Sequence, residues 1–181
     1  MFGRRHSTCP RIGPILALAV AVGVIGPARA DVTGAQVKRA TRAGVRALRA
    51  RQLPDGAWPE HSQPGGATCL ATLALLQAGE QPDTPRMSAA LAHIRKLPNQ
   101  YVYVTSLKAM VLAQAGRAED RLVLREAANW LASAQNRTGL WNYTPGGDRF
   151  DHSNSQFALL GLHAAASAGA KIQNTVWQRA Q

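Results

Sequence analysis

The segment Gln52-Leu53-Pro54-Asp55-Gly56-Ala57-Trp58 returns 83 residues later as Gln135-Asn136-Arg137-Thr138-Gly139-Leu140-Trp141. Both copies have the pattern Q-x-x-x-G-x-W. Each is followed by a turn-rich stretch and then by an alanine- and leucine-rich segment that is typical of a helix. A turn that recurs in this way indicates a chain assembled from repeated structural units. The repeat therefore predicts the architecture, although it does not by itself predict an activity.

Residues 1–30 have the pattern of a secretory signal peptide rather than of a folded domain. Arg4 and Arg5 give a basic start, an apolar stretch follows at residues 15–25, and Ala28 and Ala30 supply the small residues of a cleavage site. We therefore expect export to the periplasm or the exterior, and a folded domain over residues 31–181. An uncleaved membrane anchor is the alternative interpretation.

The remaining chain is basic and poor in cysteine. The 21 basic residues, less the four arginines of residues 1–30, leave 17 against 10 acidic residues, a net charge of +7. Cys69 is the one cysteine left, which excludes an intrachain disulfide and a cysteine-based zinc site. We expect no metal and no cofactor, and nucleic acid is the least expected partner of an exported chain.

Glycine and proline residues predict where the helices end. Three apolar segments run into Gly79, Gly116 and Gly169, and a glycine just past a helix satisfies the last carbonyls in a left-handed conformation. Thr68 is a candidate cap for the second helix, and Ser153-x-x-Gln156 is a candidate capping box for the sixth. The predicted helices span residues 35–51, 67–78, 85–97, 102–115, 119–134 and 153–168, with a seventh that begins near residue 174.

The predicted helices alternate in character. The first, third and fifth are amphipathic, whereas the second, fourth and sixth are apolar nearly all round. A helix that is apolar on every side is covered on every side, so we expect an inner layer wrapped by an outer one. His163 is then expected in the core. Ile172, Val176 and Trp177 have no evident packing partner, which predicts self-association or a longer product.

With these features the chain resembles the terpenoid cyclases, above all the squalene–hopene cyclases, and the wider prenyltransferase and squalene oxidase repeat superfamily. The second copy matches the family motif at Arg125, Trp130, Leu131, Gln135, Gly139 and Trp141, with Glu126 as a departure. The first copy matches it at Arg42, Ala43, Leu48, Gln52, Gly56 and Trp58, with Ala47 in place of the aromatic residue. The resemblance implies an all-α fold, an α/α toroid that is partial here, with three helical hairpins and the start of a fourth.

The motif residues are interpreted as structural, and other residues are the candidates for chemistry. The aspartate-rich D-x-D-D motif of the cyclases has no counterpart in this chain. Asp148, Asp151 and His152 are candidates for acid–base work, with a capped, solvated turn as the alternative.

Two further sets of residues are candidates for binding. Tyr101, Tyr103, Lys108 and His163 are candidates for a pocket between helices, with core packing as the alternative. A basic face of the first helix suits acidic glycans or anionic lipid, with a solvated outer face as the alternative. This face consists of Lys38, Arg42, Arg46 and Arg49.

The sequence favours an exported repeat domain that is a non-catalytic binding or scaffold module. Its expected ligand classes are an isoprenoid or an acidic glycan. One alternative is a terpene cyclase-like isomerase without its catalytic half. The other is a secreted toroid similar to the polysaccharide lyases.

Overall fold

The computed structural model describes residues 32–181, and within this range the chain is all-helical, as the sequence predicts. The helices are α1 (Gly34–Arg51), α2 (Gly66–Gln77), α3 (Pro85–Arg95), α4 (Val102–Ala115), α5 (Arg121–Ser133), α6 (His152–Ser167) and α7 (Asn174–Arg179). A short 3₁₀ turn, Ala118–Asp120, precedes α5. The signal-peptide prediction lies outside the described residues. None of the helices in residues 32–181 is long and apolar enough to cross a bilayer.

Three apolar helices form an inner row in which α4 lies between α2 and α6. The contact between α4 and α6 is close because Gly161 has no side chain. A Cβ atom at Gly161 would lie 2.8 Å from the Cα atom of Ser106. Leu107, Leu112 and Leu162 are completely or almost completely buried in this row, which is the centre of the hydrophobic core.

The outer helices pack on the inner row through helical stripes of apolar residues. The stripe of α5 is Leu124, Ala127, Ala128 and Leu131, which recurs at the spacing of one helix face. In contrast, α1 has no buried residue, and its Val45 and Leu48 pack against the core while only partly buried. The reason is that α1 has α2 on one side and no earlier helix among the described residues.

The expectation that the inner helices are covered on every side holds for α4, where residues 104–109 are all buried, and is wrong for α2 and α6. Leu70 on α2 is 50% exposed and Leu160 on α6 is 43% exposed. His163, expected in the core, is exposed as well. The outer helices and the neighbouring inner helix cover only part of α2 and of α6. The remaining side carries no helix among the described residues.

The expectation that the C-terminal residues lack a packing partner is also wrong. Val176 on α7 is 7% exposed and belongs to the core, and Ile172 and Trp177 pack against it. The Nε2 atom of Gln135 donates a hydrogen bond of 2.9 Å to the carbonyl of Val176. α7 is therefore docked on the C-terminal end of α5.

Two helix caps differ from the prediction. α6 begins at His152, and its N-cap is Asp151 rather than Ser153, because the Asp151 carboxylate accepts from the backbone N–H of Asn154 at 2.8 Å. Thr68 does not cap α2. The carboxylate of Glu60 accepts from the first-turn amides of α2 instead, and the Thr68 hydroxyl accepts from the N–H of Trp58.

Candidate functional site

The two motif turns, residues 52–58 and 135–141, form the same indole hydrogen bond. The Nε1–H of Trp58 donates to the carbonyl of Leu48 at 2.9 Å, and that of Trp141 donates to the carbonyl of Leu131 at 2.7 Å. Both carbonyls lie in the last turn of an outer helix, where backbone acceptors have no partner within the helix. Each indole therefore satisfies one backbone carbonyl at the C-terminal end of the helix that precedes the turn.

The motif glutamines connect each turn to the next outer helix. Gln52 Nε2 donates to the carbonyls of Gly56 (3.1 Å) and Arg86 (3.0 Å). Gln135 Nε2 donates to those of Gly139 (2.8 Å) and Val176 (2.9 Å). Because Arg86 lies near the start of α3 and Val176 near the start of α7, the same connection is made twice.

The motif glycines are required by the backbone and by the close approach of that helix. Gly56 has a φ of +88° and Gly139 a φ of +85°, values that residues other than glycine rarely adopt. A Cβ atom would lie 2.4 Å from the carbonyl carbon of Ala89 in the first turn. In the second it would lie 1.7 Å from the carbonyl oxygen of Arg179. Glycine thus sets how closely α3 and α7 dock.

The middle hairpin, α3 and α4, has no motif turn and uses a buried lysine instead. Lys108 is 3% exposed, and its Nζ donates to the carbonyl of Leu97 at 2.7 Å and to Oδ1 of Asn99 at 3.3 Å. Burial lowers the pKa of Lys108. Sequence analysis missed this role, although a lysine within an apolar helix is a signal for a buried, bonded cation.

The buried thiol of Cys69 has no features of a reactive group. Cys69 is completely buried, and burial raises its pKa to about 12, with Glu60 as a smaller cause. The nucleophilic and metal-binding form of cysteine is the thiolate, so this thiol is inert at neutral pH.

The acid–base candidates are each engaged in a separate structural contact. Asp148 forms an exposed ion pair with Arg137, whose Nε lies 2.9 Å from Oδ1, and this pair lowers the pKa of Asp148. Hydrogen bonds from Ser153 and then from Asn154 lower the pKa of Asp151 to about 2. The His152 ring packs edge-on against Phe150, with centroids 5.2 Å apart. Within residues 32–181, no three potential metal ligands lie together.

The four residues of the predicted pocket have different environments. Tyr103 packs edge-on against Phe157, with centroids 4.7 Å apart, and lines a cavity of about 190 Å³ beside Leu70. Lys108 bonds to the turn between α3 and α4, as described. Tyr101 is the N-cap residue of α4, and His163 is exposed. Of these four, Tyr103 alone is among the residues that line this cavity.

The predicted basic face of α1 is exposed. Lys38, Arg42 and Arg46 are accessible to solvent, and Arg49 pairs with Glu80, which lies after α2. A second basic surface, which sequence analysis did not identify, lies between α5 and residues 168–179, the segment that follows α6 and includes α7. Two adjoining cavities of about 410 and 560 Å³ form it.

Comparison with known proteins returns no match to any family model, any curated protein or any solved structure.

Proposed function

We propose that this chain is an exported, non-catalytic repeat domain of the α/α-toroid type that binds a ligand or a partner. The observation that carries the proposal is the use of the motif residues, all of which hold helices together. These residues are Gln52, Gly56, Trp58, Gln135, Gly139 and Trp141. Side chains whose hydrogen bonds are already made to the backbone are not available to a substrate.

The ionisation of the acidic candidates supports the same proposal. Protonation of an alkene requires a carboxylic acid that keeps its proton near neutral pH, which means a raised pKa. Asp148 and Asp151 have lowered pKa values, and each already accepts hydrogen bonds. Their environment favours structural carboxylates over a general acid.

The enzymatic alternatives are tested by incubating the purified chain with squalene and, separately, with a polyprenyl diphosphate. We expect no turnover of either compound. Turnover that is lost in Asp148→Asn or Asp151→Asn would overturn the proposal and favour a cyclase-like isomerase. Release of unsaturated product from polygalacturonate would favour a polysaccharide lyase-like enzyme.

Export is tested by expressing the full chain with its own first thirty residues in a bacterial host and fractionating the cells. We expect a periplasmic or secreted product that begins at Asp31. A product in the cytoplasmic fraction that retains residues 1–30 would contradict this part of the proposal.

A further inference from the structure

The surface between α5 and residues 168–179, here named the α5–α7 groove, has cations in both of its cavities. Its two cavities share Asn129 and Lys171, so they are parts of one groove. No carboxylate is among the residues that line them. The cations that line the groove are Arg121, Arg125, Lys171 and Arg179.

These cations lack acidic partners. Arg121, Arg125 and Lys171 are exposed, and no ion pair found within residues 32–181 includes them. Like charges that line one concave surface raise the local concentration of anions. The groove therefore favours a ligand that carries several negative charges.

Neutral polar groups between the cations point to a ligand with hydroxyl groups as well. Asn129, Ser133, Gln173 and Thr175 line the first cavity together with Gln135. The Oε1 atom of Gln135 is buried and has no hydrogen-bond partner within residues 32–181. The Nε2 atom of the same amide is held by two carbonyls, so Oε1 is fixed as an acceptor. Because this oxygen has almost no accessible surface, we expect the hydroxyls of a ligand to bond to the exposed side chains of Asn129, Ser133, Gln173 and Thr175 instead.

The first copy of the repeat provides an internal comparison. A shift of 83 residues places Lys38, Arg42, Arg46 and Arg49 at the positions of Arg121, Arg125, Asn129 and Ala132. A shift of 90 residues, which aligns the helix-ending glycines 79 and 169, places Glu80 at the position of Ala170.

This comparison shows a difference in charge between the two copies. The equivalent groove of the first copy contains Glu80, which pairs with Arg49. The second copy has alanine at both positions, so its groove contains neither the carboxylate nor the ion pair. A groove lining that contains cations and no carboxylate thus distinguishes the second copy from the first.

We propose that the α5–α7 groove binds an acidic oligosaccharide. Its carboxylate or sulfate groups contact the four cations, and its hydroxyls bond to the amides and hydroxyls between them. The groove follows α5 from Arg121 to Ser133, about 18 Å at the rise of a helix, which accommodates several sugar rings. This inference rests on the proposed function as a binding module and names its ligand class.

The test is calorimetric titration of the purified chain with galacturonate hexamers and with sulfated heparin-derived hexamers, which separates carboxylate from sulfate recognition. Maltohexaose is the neutral control. We expect binding of at least one acidic hexamer and none of maltohexaose. We also expect the double variant Arg125→Ala/Lys171→Ala to bind at least tenfold more weakly, since two charge-assisted contacts are lost.

The matched control is Arg39→Ala/Lys96→Ala, which removes the same net charge from two exposed cations that lie outside the groove and outside the predicted basic face of α1. We expect its affinity to stay within twofold of that of the unchanged chain. Circular dichroism of both variants checks that they are folded. Lys171→Glu, which places a carboxylate in the groove as Glu80 does in the first copy, is expected to weaken binding further than Lys171→Ala.

Equal weakening in the two double variants would overturn the inference, because binding would then follow net charge alone. Failure of both acidic hexamers to bind would also overturn it. Phosphatidylglycerol vesicles are titrated as a further probe. If the chain binds the vesicles and neither hexamer, the inference is overturned, whereas the proposed function as a binding module is retained. A further outcome is cleavage of a hexamer by the unchanged chain, with cleavage weakened in the Arg125→Ala/Lys171→Ala variant. It would retain the groove and overturn the non-catalytic function.

Discussion

Trp141 is completely buried, and its Nε1–H donates to the carbonyl of Leu131 near the end of α5. Trp58 makes the equivalent bond to Leu48, but Leu48 is only partly buried. A backbone carbonyl that loses its donor is compensated by water only where water reaches it. The same motif residue therefore contributes differently to stability in the two copies.

We predict that Trp141→Phe lowers the free energy of unfolding by about 2–4 kcal/mol, through the lost hydrogen bond and the smaller side chain. Trp58→Phe is expected to have a smaller effect, because water can donate to the carbonyl of the partly buried Leu48 once the indole N–H is lost. The measurement is urea denaturation followed by circular dichroism. Tyr143→Phe, at a side chain that is 51% exposed, is the control, and its effect should stay within about 0.5 kcal/mol. Equal effects of the two tryptophan substitutions would contradict this argument.

Asp151 links the stability of the fold to pH. Its pKa is lowered in the folded chain from 3.8 to about 2 by hydrogen bonds from Ser153 and Asn154. For a carboxylate with a lowered folded pKa, the stabilisation is complete above the unfolded pKa and is lost as the pH falls through the folded pKa. The cap on α6 is therefore expected to weaken between pH 4 and pH 2.

We predict that Asp151→Asn reduces the loss of stability between pH 4 and pH 2, because asparagine still caps a helix but does not titrate. The readout is the urea midpoint measured across this pH range. Exposed Asp83→Asn is the control and should leave the pH dependence close to that of the unchanged chain. If Asp151→Asn shows the unchanged pH slope, the carboxylate of Asp151 does not couple folding to pH.

At the scale of the element, α7 is a helix of six residues that is stable only through its contacts. Isolated helices of this length do not form in water. Gln135 holds the carbonyl of Val176, and Gly139 lies against the carbonyl of Arg179. The second motif turn thus fixes α7 as the first fixes α3, although α3 also contacts α2 and α4.

We predict that Gly139→Ala undocks α7, because the added Cβ atom would overlap the Arg179 carbonyl. Gly169→Ala is the matched control. Gly169 also has a positive φ, of +96°, but a Cβ atom there meets no atom within 4 Å. It should cost only about 1–2 kcal/mol of backbone strain. Hydrogen exchange of the amides in residues 174–180 reports the result, and similar protection in both variants would contradict the prediction.

At the scale of the whole molecule, the helices follow from local signals in the sequence. Gly79, Gly116 and Gly169 follow the inner helices closely, and Thr84 with Pro85 starts α3 as expected. The three helices that are apolar nearly all round, α2, α4 and α6, are the ones that contact each other in a row. Apolar periodicity and helix-ending residues determine structure over only a few neighbouring positions. Helix bounds can therefore be predicted from the sequence without knowledge of the tertiary contacts.

Properties that depend on contacts between residues far apart in the sequence could not be predicted from the sequence. The bond from Gln135 to Val176 spans 41 residues, so α7 seemed to lack a partner. Apolar composition made α2 and α6 look fully covered, although composition does not say how many neighbours a helix has. The α5–α7 groove was missed because Lys171 is about 50 residues away in sequence from Arg121 and Arg125 of α5, and only folding brings the two segments together.

The exposed apolar residues of the inner row bear on how the molecule associates. Leu70 is half exposed and lines an apolar cavity of about 420 Å³ between α1 and α2, together with Leu48 and Trp58. Contiguous apolar surface of this kind favours association because burial removes it from water. The sequence predicted self-association because Ile172, Val176 and Trp177 had no evident partner, and the packing of α7 removes that argument. The exposed apolar surface around Leu70 provides a different argument for self-association.

We predict that the purified chain forms dimers or larger species as its concentration rises, and that Leu70→Lys shifts the equilibrium towards the monomer. A lysine at this exposed position places a charge where apolar surface would be buried, with little effect on folding. Leu122→Lys is the control, since Leu122 is 54% exposed on α5 and lines none of the cavities described here. Sedimentation velocity over a range of concentrations measures the masses. A monomeric mass at every concentration would contradict the prediction, and equal effects of the two variants would mean that the contact lies away from α2.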